Sequence, residues 1–177
     1  VLNEDLSIVG TPLWLHYQSD RVTGRRSAFQ VTLPVTGKAL PKGAKPPVVT
    51  IDILGQSPKD LPVFDLSPNQ TFTWTWDGKD GYGREWAMPA VARVTVSQPY
   101  EGVYGESVQF DAPPGVAIEG TSSREAIAFK RIYEVPLGVY RASQQGLGGW
   151  TLSVHHAYDV ATRALHFGWG GQQRATA

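Results

Sequence analysis

Short runs in which apolar and polar residues alternate recur along the chain, the two-residue period of strands with one buried face. Leu13, Leu15 and Tyr17 point one way and Trp14 and His16 the other, which predicts a strand running into a Ser19-Asp20-Arg21 turn. Phe29, Val31 and Leu33 predict a second strand, ended by Pro34 and a loop over 37–47, and Val49, Ile51 and Ile53 a third, closed by Gly55. Residues 62–66 form a short proline-bounded segment suited to a sheet edge. Phe72, Trp74 and Trp76 then share one face of a strand whose other face is Thr71, Thr73 and Thr75. Asp77-Gly78 and Lys79-Asp80-Gly81 predict a hairpin loop with Gly78 at positive φ, and a return strand at 91–96 carries Val94 and Val96.

From 104 to 146 the pattern loosens. Asp111-Ala112-Pro113-Pro114-Gly115 reads as a turn, and 127–133 is apolar without a single clean period. Thr121-Ser122-Ser123-Arg124-Glu125 suits the cap of a short helix, whereas the isoleucines, Phe129 and Tyr133 favour a strand, and both elements stay open. Alternation returns with Trp150, Leu152, Val154, His156 and Tyr158, followed by turn chemistry over 159–162. Arg163, Leu165 and Phe167 resume it until Gly168-Trp169-Gly170-Gly171, so 147–177 is expected to be a β-hairpin. Leu13, Leu15, His16, Asp20 and Thr23 have the same spacing as Leu152, Val154, His155, Asp159 and Thr162, two readings of strand, aspartate turn and second strand. An aspartate side chain bonds the backbone two residues on and so fixes where such a chain reverses.

The stretch Gly146-Leu147-Gly148-Gly149-Trp150-Thr151-Leu152-Ser153, with His155-His156, Tyr158-Asp159, Arg163, Leu165 and Gly168, resembles the entry into the YD-repeat shell of Rhs and teneurin-like proteins. Two further matches, Leu13-Trp14-Leu15-His16-Tyr17-Gln18-Ser19-Asp20-Arg21 and Trp76-Asp77-Gly78-Lys79-Asp80-Gly81-Tyr82-Gly83-Arg84, fall in family order. In that family they belong to the fibronectin-plug region that precedes the shell. The resemblance implies an all-β chain: an antiparallel fibronectin- or immunoglobulin-like sandwich over 1–104, a plug or crossover segment over 105–146, and a YD-type hairpin over 147–177 that starts the shell wall. It implies a non-enzymatic structural module that closes or templates the mouth of the shell in a larger secreted or cell-surface protein, one that encapsulates a toxin or serves adhesion. Its partners would be the rest of its own shell and an enclosed toxin domain or a cell-surface partner. The residues expected to carry this role are Trp74, Trp76, Asp77 and Gly78 in the sandwich and Trp150, Tyr158, Asp159 and Arg163 in the hairpin.

Length and composition agree with a β reading. A chain of 177 residues can bury a core without staples and has room for about ten to fourteen short strands. Nineteen glycines and thirteen prolines scattered singly suit many turns. With no cysteine there is no disulfide, thiolate nucleophile or cysteine-ligated metal. Sixteen basic and sixteen acidic residues leave no global field for nucleic acid or anionic lipid, and no apolar run approaches the length of a membrane span. Val1-Leu2-Asn3-Glu4-Asp5 has neither a basic region nor an initiator methionine, so the chain reads as a piece of a longer polypeptide.

The chain has no nucleophile elbow, phosphate loop, His-Glu-x-x-His or dinucleotide fingerprint. Of its four histidines, His155 and His156 are adjacent, which on a strand sends them to opposite faces, and all four are expected to be structural. Asp77, Lys79 and Asp80 look like a fragment of a calcium loop but lack the later carboxylates, so no metal and no cofactor is expected. Asn69-Gln70-Thr71 has the form of a glycosylation acceptor in a turn. Six tryptophans and seven tyrosines admit two readings, a core or a sugar-stacking platform built from Trp74, Trp76 and Trp86. The second belongs to an alternative function, an extracellular carbohydrate- or protein-binding sandwich, but the stripe that Trp74 and Trp76 make with Phe72 suits an inward face.

Overall fold

Alternation becomes strand wherever a short run can bury one face and expose the other, and in a computed structural model the chain is all-β with antiparallel sheets. The structure describes residues 1–22, 24, 26–59, 61, 62, 64–101, 116–120 and 126–175. The strands are β1 (Asn3–Ser7), β2 (Trp14–Gln18), β3 (Gln30–Pro34), β4 (Val48–Asp52), β5 (Thr71–Thr75), β6 (Ala90–Glu101), β7 (Val116–Gly120), β8 (Ala126–Leu137), β9 (Trp150–Leu152), β10 (Ala157–Asp159), β11 (Ala164–His166) and β12 (Gln172–Arg174). Two single-turn 3-10 helices, Arg26–Phe29 and Ala142–Gln145, complete the described elements. Contacts gather the residues into two compact units, unit 1 from 1–30, 75–91 and 136–177, and unit 2 from 31–74 and 92–135. Residues from both ends of the chain thus share one unit.

Unit 2 has the sandwich-like pattern. Its sheets are the pair β3-β5 and the four strands in the order β4-β6-β8-β7. Val31 and Phe72 from the first sheet and Val49, Ile51, Val94 and Val96 from the second are buried, as their alternation predicts. Val49 lies opposite Val96 and Ile51 opposite Val94, so each apolar residue meets another across the strands. On the exposed face of the smaller sheet the hydroxyls of Thr32 and Thr73 are 3.1 Å apart. Leu54 and Gly55 both have positive φ, and reciprocal bonds between Ile53 and Gln56 of 3.0 and 2.8 Å close a two-residue turn around them.

Two expectations are corrected here. β5 does not form a hairpin with the strand at 91–96, because β5 pairs with β3 while β6 lies between β4 and β8. A two-residue reversal would have paired them, but the residues after Trp76 fold into a longer loop that an aspartate organises, described below. The described residues of 62–66 form no strand. The open choice over 127–133 resolves to strand within β8, whereas the helix cap over 121–125 and the turn over 111–115 lie outside the described residues.

Unit 1 contains the three-stranded sheets β1-β2-β9 and β10-β11-β12. β9 joins β2 antiparallel, with Leu15 opposite Leu152, His16 opposite Thr151 and Tyr17 opposite Trp150. The strand expected from Trp150 to Tyr158 is therefore two strands. The chain reverses at 153–156, where His155 N–H donates to Leu152 O at 2.9 Å and His156 N–H to Val154 O at 3.1 Å. The expected apolar face is also wrong: Val154 and Tyr158 are exposed, while Thr151, Asp159, Ala164 and His166 are buried. The reason is hydrogen bonding. Thr151 donates its hydroxyl proton to Gly168 O at 2.5 Å, with His16 O at 3.2 Å placed to share it, so a polar side chain is buried with a partner and the apolar parity need not point inward.

Candidate functional site at the aspartate turn

Asp159 ends β10, and its carboxylate makes the reversal that follows. It accepts the N–H of Ala161 at 3.0 Å and the hydroxyl of Thr162, and Arg163 then takes a φ of 52° before β11 begins. Asp159 lies opposite Ala164 and Tyr158 opposite Leu165 in the resulting hairpin. Of the residues expected to act here, Asp159 is buried, Tyr158 and Arg163 are exposed, and Trp150 is half-buried with its ring 5.4 Å from Tyr17.

Beside this turn, three buried polar residues meet that sequence reasoning did not select. Arg21 follows β2 and donates to Phe167 O at 2.8 Å and to Gly171 O at 3.3 Å. Its guanidinium carbon lies 5.3 Å from the ring centre of Tyr140, which stacks on His166 at 5.2 Å. The Tyr140 hydroxyl accepts from the Gln145 amide, whereas Nε2 of His166 is buried without a hydrogen-bond partner. All three line a cavity of about 380 Å³, together with Gln18, Asp20, Thr162, Gln172 and Arg174. The only sequence signals were that Arg21 sits in a matched stretch and that His166 has the parity opposite to Leu165.

Burial lowers the pKa of His166, Arg21 and Arg174 lower it further, and Asp159 opposes them. Burial raises that of Tyr140 against the pull of Arg21, and it lowers that of Arg21 against Tyr140 and Asp20. A histidine titrating below its unfolded value of about 6.5 leaves more protons on the unfolded chain in that range. Stability is therefore expected to fall as pH drops from about 6.5 through the folded value, and not to depend on this group above it. Urea titrations between pH 5 and 8 check this: His166→Asn should flatten the slope, and identical slopes would assign it elsewhere.

The other expected residues centre on the loop after β5. Trp76 is only 2% exposed, its indole N–H donates to Lys79 O at 2.8 Å, and its ring lies 5.8 Å from Phe29. Trp74 belongs to unit 2 and is half-buried, so the expected burial holds fully for Trp76 alone. A buried Trp76 cannot stack on a sugar, which removes it from the platform proposed with Trp74 and Trp86. Asp77 accepts the N–H of Lys79 at 2.9 Å. Asp80, however, does most of the shaping, accepting the N–H of Tyr82 at 3.0 Å, the N–H of Arg84 at 2.9 Å and Arg84 Nε at 2.8 Å. Burial works against ionisation of Asp80, but the bonds from Arg84 and Tyr82 outweigh it and hold its carboxyl below the usual range.

Gly78 has the expected positive φ, 79°. A Cβ there would come 2.0 Å from Nη2 of Arg141 and 3.3 Å from Cε1 of Phe29, so the backbone favours glycine and the guanidinium end of Arg141 would have to shift for any other residue. Gly78→Ala is expected to cost roughly 2–4 kcal/mol, from left-handed strain plus overpacking. Chemical denaturation measures it, and a loss under about 0.5 kcal/mol would mean that the loop relaxes freely.

Among the described residues no group of three or more histidine, aspartate or glutamate side chains is placed to hold a metal ion. No described helix is long and apolar enough to cross a membrane.

No family model matches this chain. It is similar to Teneurin-3 of Mus musculus, 29% identical over 173 residues that make up 98% of this chain and 6% of the relative. It is also similar to Teneurin-3 of Danio rerio, 28% identical over 170 residues (96% of this chain, 5% of the relative). Similarity to Teneurin-4 of Homo sapiens is 26% over 172 residues (97% of this chain, 5% of the relative). The chain thus spans only 5–6% of the length of these curated relatives. Teneurins are YD-repeat proteins, and they lie at the cell surface.

Proposed function

We propose that this chain is a non-enzymatic structural module of a larger extracellular YD-repeat protein, standing at the mouth of the shell and templating its first strands. Similarity to teneurins over nearly the whole chain supports membership of such a protein and favours an adhesion setting over toxin encapsulation. The observation that carries the templating role is the pairing of β2 with β9. A strand from the region before the Tyr-Asp hairpin lies beside the strand that leads into it, so backbone groups that would form an open edge are already matched. β2 thereby seats the strand that precedes the hairpin, while β10 and β11 complete a separate three-stranded sheet with β12, as an isolated two-stranded hairpin would be marginal in water. The aspartate turn then sets the register of the next strand through local bonds alone. In this role the partner is the rest of the shell, and the module works by backbone pairing and steric closure.

Deleting 1–22 from the parent polypeptide tests the reading. The Tyr-Asp repeats of the deleted form are expected to become sensitive to limited proteolysis, with those nearest this module cut first. Repeats that stay as resistant as in the intact protein would refute templating.

A further inference from the structure

The cavity of unit 1 is not used by backbone templating, and its chemistry suits a ligand. We propose that it binds a small hydroxylated carboxylic acid of the uronic-acid class, an inference that goes beyond the structural role. His166 lines the cavity, and its Nε2 is buried and has no partner, although leaving such an atom unmatched is costly. A hydroxyl both donates and accepts, so it complements the imidazole in either tautomer. Gln18 and Gln172, whose amides both donate and accept, also line the space, as does Thr162, whose hydroxyl proton goes to Asp159 and which can still accept.

Charge supplies the second half. Arg21 and the exposed Arg174 line the cavity against one carboxylate, Asp20. Asp159 acts on His166 electrostatically but does not line the cavity, and its oxygens are taken by Ala161 and Thr162. Among the described lining residues the cations thus outnumber the anions, which suits a ligand carboxylate. Two backbone carbonyls occupy only part of the donor fork of Arg21, which has five N–H groups. A volume of about 380 Å³ lies at the small end of ligand sites and far exceeds the roughly 30 Å³ share of the single water that His166 alone would need.

The test follows the imidazole of His166 by NMR in the full 177-residue chain at pH 7, with sodium glucuronate as probe. Glucose supplies hydroxyls without the carboxylate, and acetate the carboxylate without the hydroxyls. The expected result is a saturable shift of the His166 signals by glucuronate, with affinity at least tenfold weaker for glucose and for acetate. Arg174→Gln, a surface change that leaves the fold intact by its dispersed spectrum, should weaken glucuronate at least fivefold. No saturable shift, equal response to any of the three probes, or indifference to Arg174→Gln would each overturn the proposal. The readout is local to unit 1, so it is independent of whether downstream repeats depend on this module.

Discussion

Replacing Trp76 with alanine is expected to cost roughly 3–5 kcal/mol, the scale of a buried aromatic deletion whose cavity cannot fully collapse. The indole is walled in on several sides. Phe29 lies beside its ring, and a Cβ on Gly138 would reach within 2.9 Å of its Cζ3, so the site is already filled to contact. Deletion also strands Lys79 O, which accepts the indole N–H, and removes a packing partner from the loop that Asp80 shapes. Trp74→Ala provides the contrast. Trp74 is half-buried, and its loss is expected to stay well under that of Trp76. Urea unfolding of the two variants decides the matter, since equal losses would mean that burial does not distinguish them.

Gly168→Ala is expected to be comparably damaging, about 3 kcal/mol or more, because the clash it creates is with backbone. An added Cβ would lie 1.9 Å from Leu152 O and 3.0 Å from His155 O, and no rotamer change can relieve either contact. Relief requires moving the end of β9, the strand that pairs with β2. Moving it also breaks the bond from the Thr151 hydroxyl to Gly168 O and the bond from Gly168 N–H to Nδ1 of His156 at 3.2 Å. Amide exchange across 150–152 should therefore speed up together with the loss of stability. Gly146→Ala is the control, a position of positive φ with nothing near the added carbon, where only left-handed strain is felt. Wild-type protection of β9 in Gly168→Ala would sink this account of how the hairpin is seated.

Strands β3 to β6 were legible because their signal is local: Val31, Val49, Ile51, Phe72, Val94 and Val96 alternate with polar residues and are buried in that alternation, whereas 127–133 in β8 has no clean period and stayed open. The aspartate turn at 159–162 and the positive φ of Gly78 were legible for the same reason, since a carboxylate two residues away or a missing Cβ sets the backbone without distant help. Strand partners are a different kind of fact. Nothing in Phe72, Trp74 and Trp76 says that β5 pairs with β3, because pairing is chosen by loop geometry and by which edges are open once the chain collapses. The reading of 150–158 failed on the same ground. Apolarity pointed to Val154 and Tyr158, yet Thr151 is the buried residue because the carbonyls of His16 and Gly168 converge on its hydroxyl. The cavity at His166 likewise draws Arg21, Tyr140 and His166 from three separated stretches. Sequence by itself determined the β class, the buried positions Val31, Val49, Ile51, Phe72, Val94 and Val96 and the places where aspartate and glycine turn the chain, all consequences of bonds and sterics within a few residues. Tertiary structure alone decided which strands pair, which polar groups are buried and where charges converge, because each depends on acceptors and edges supplied by residues far away in the chain.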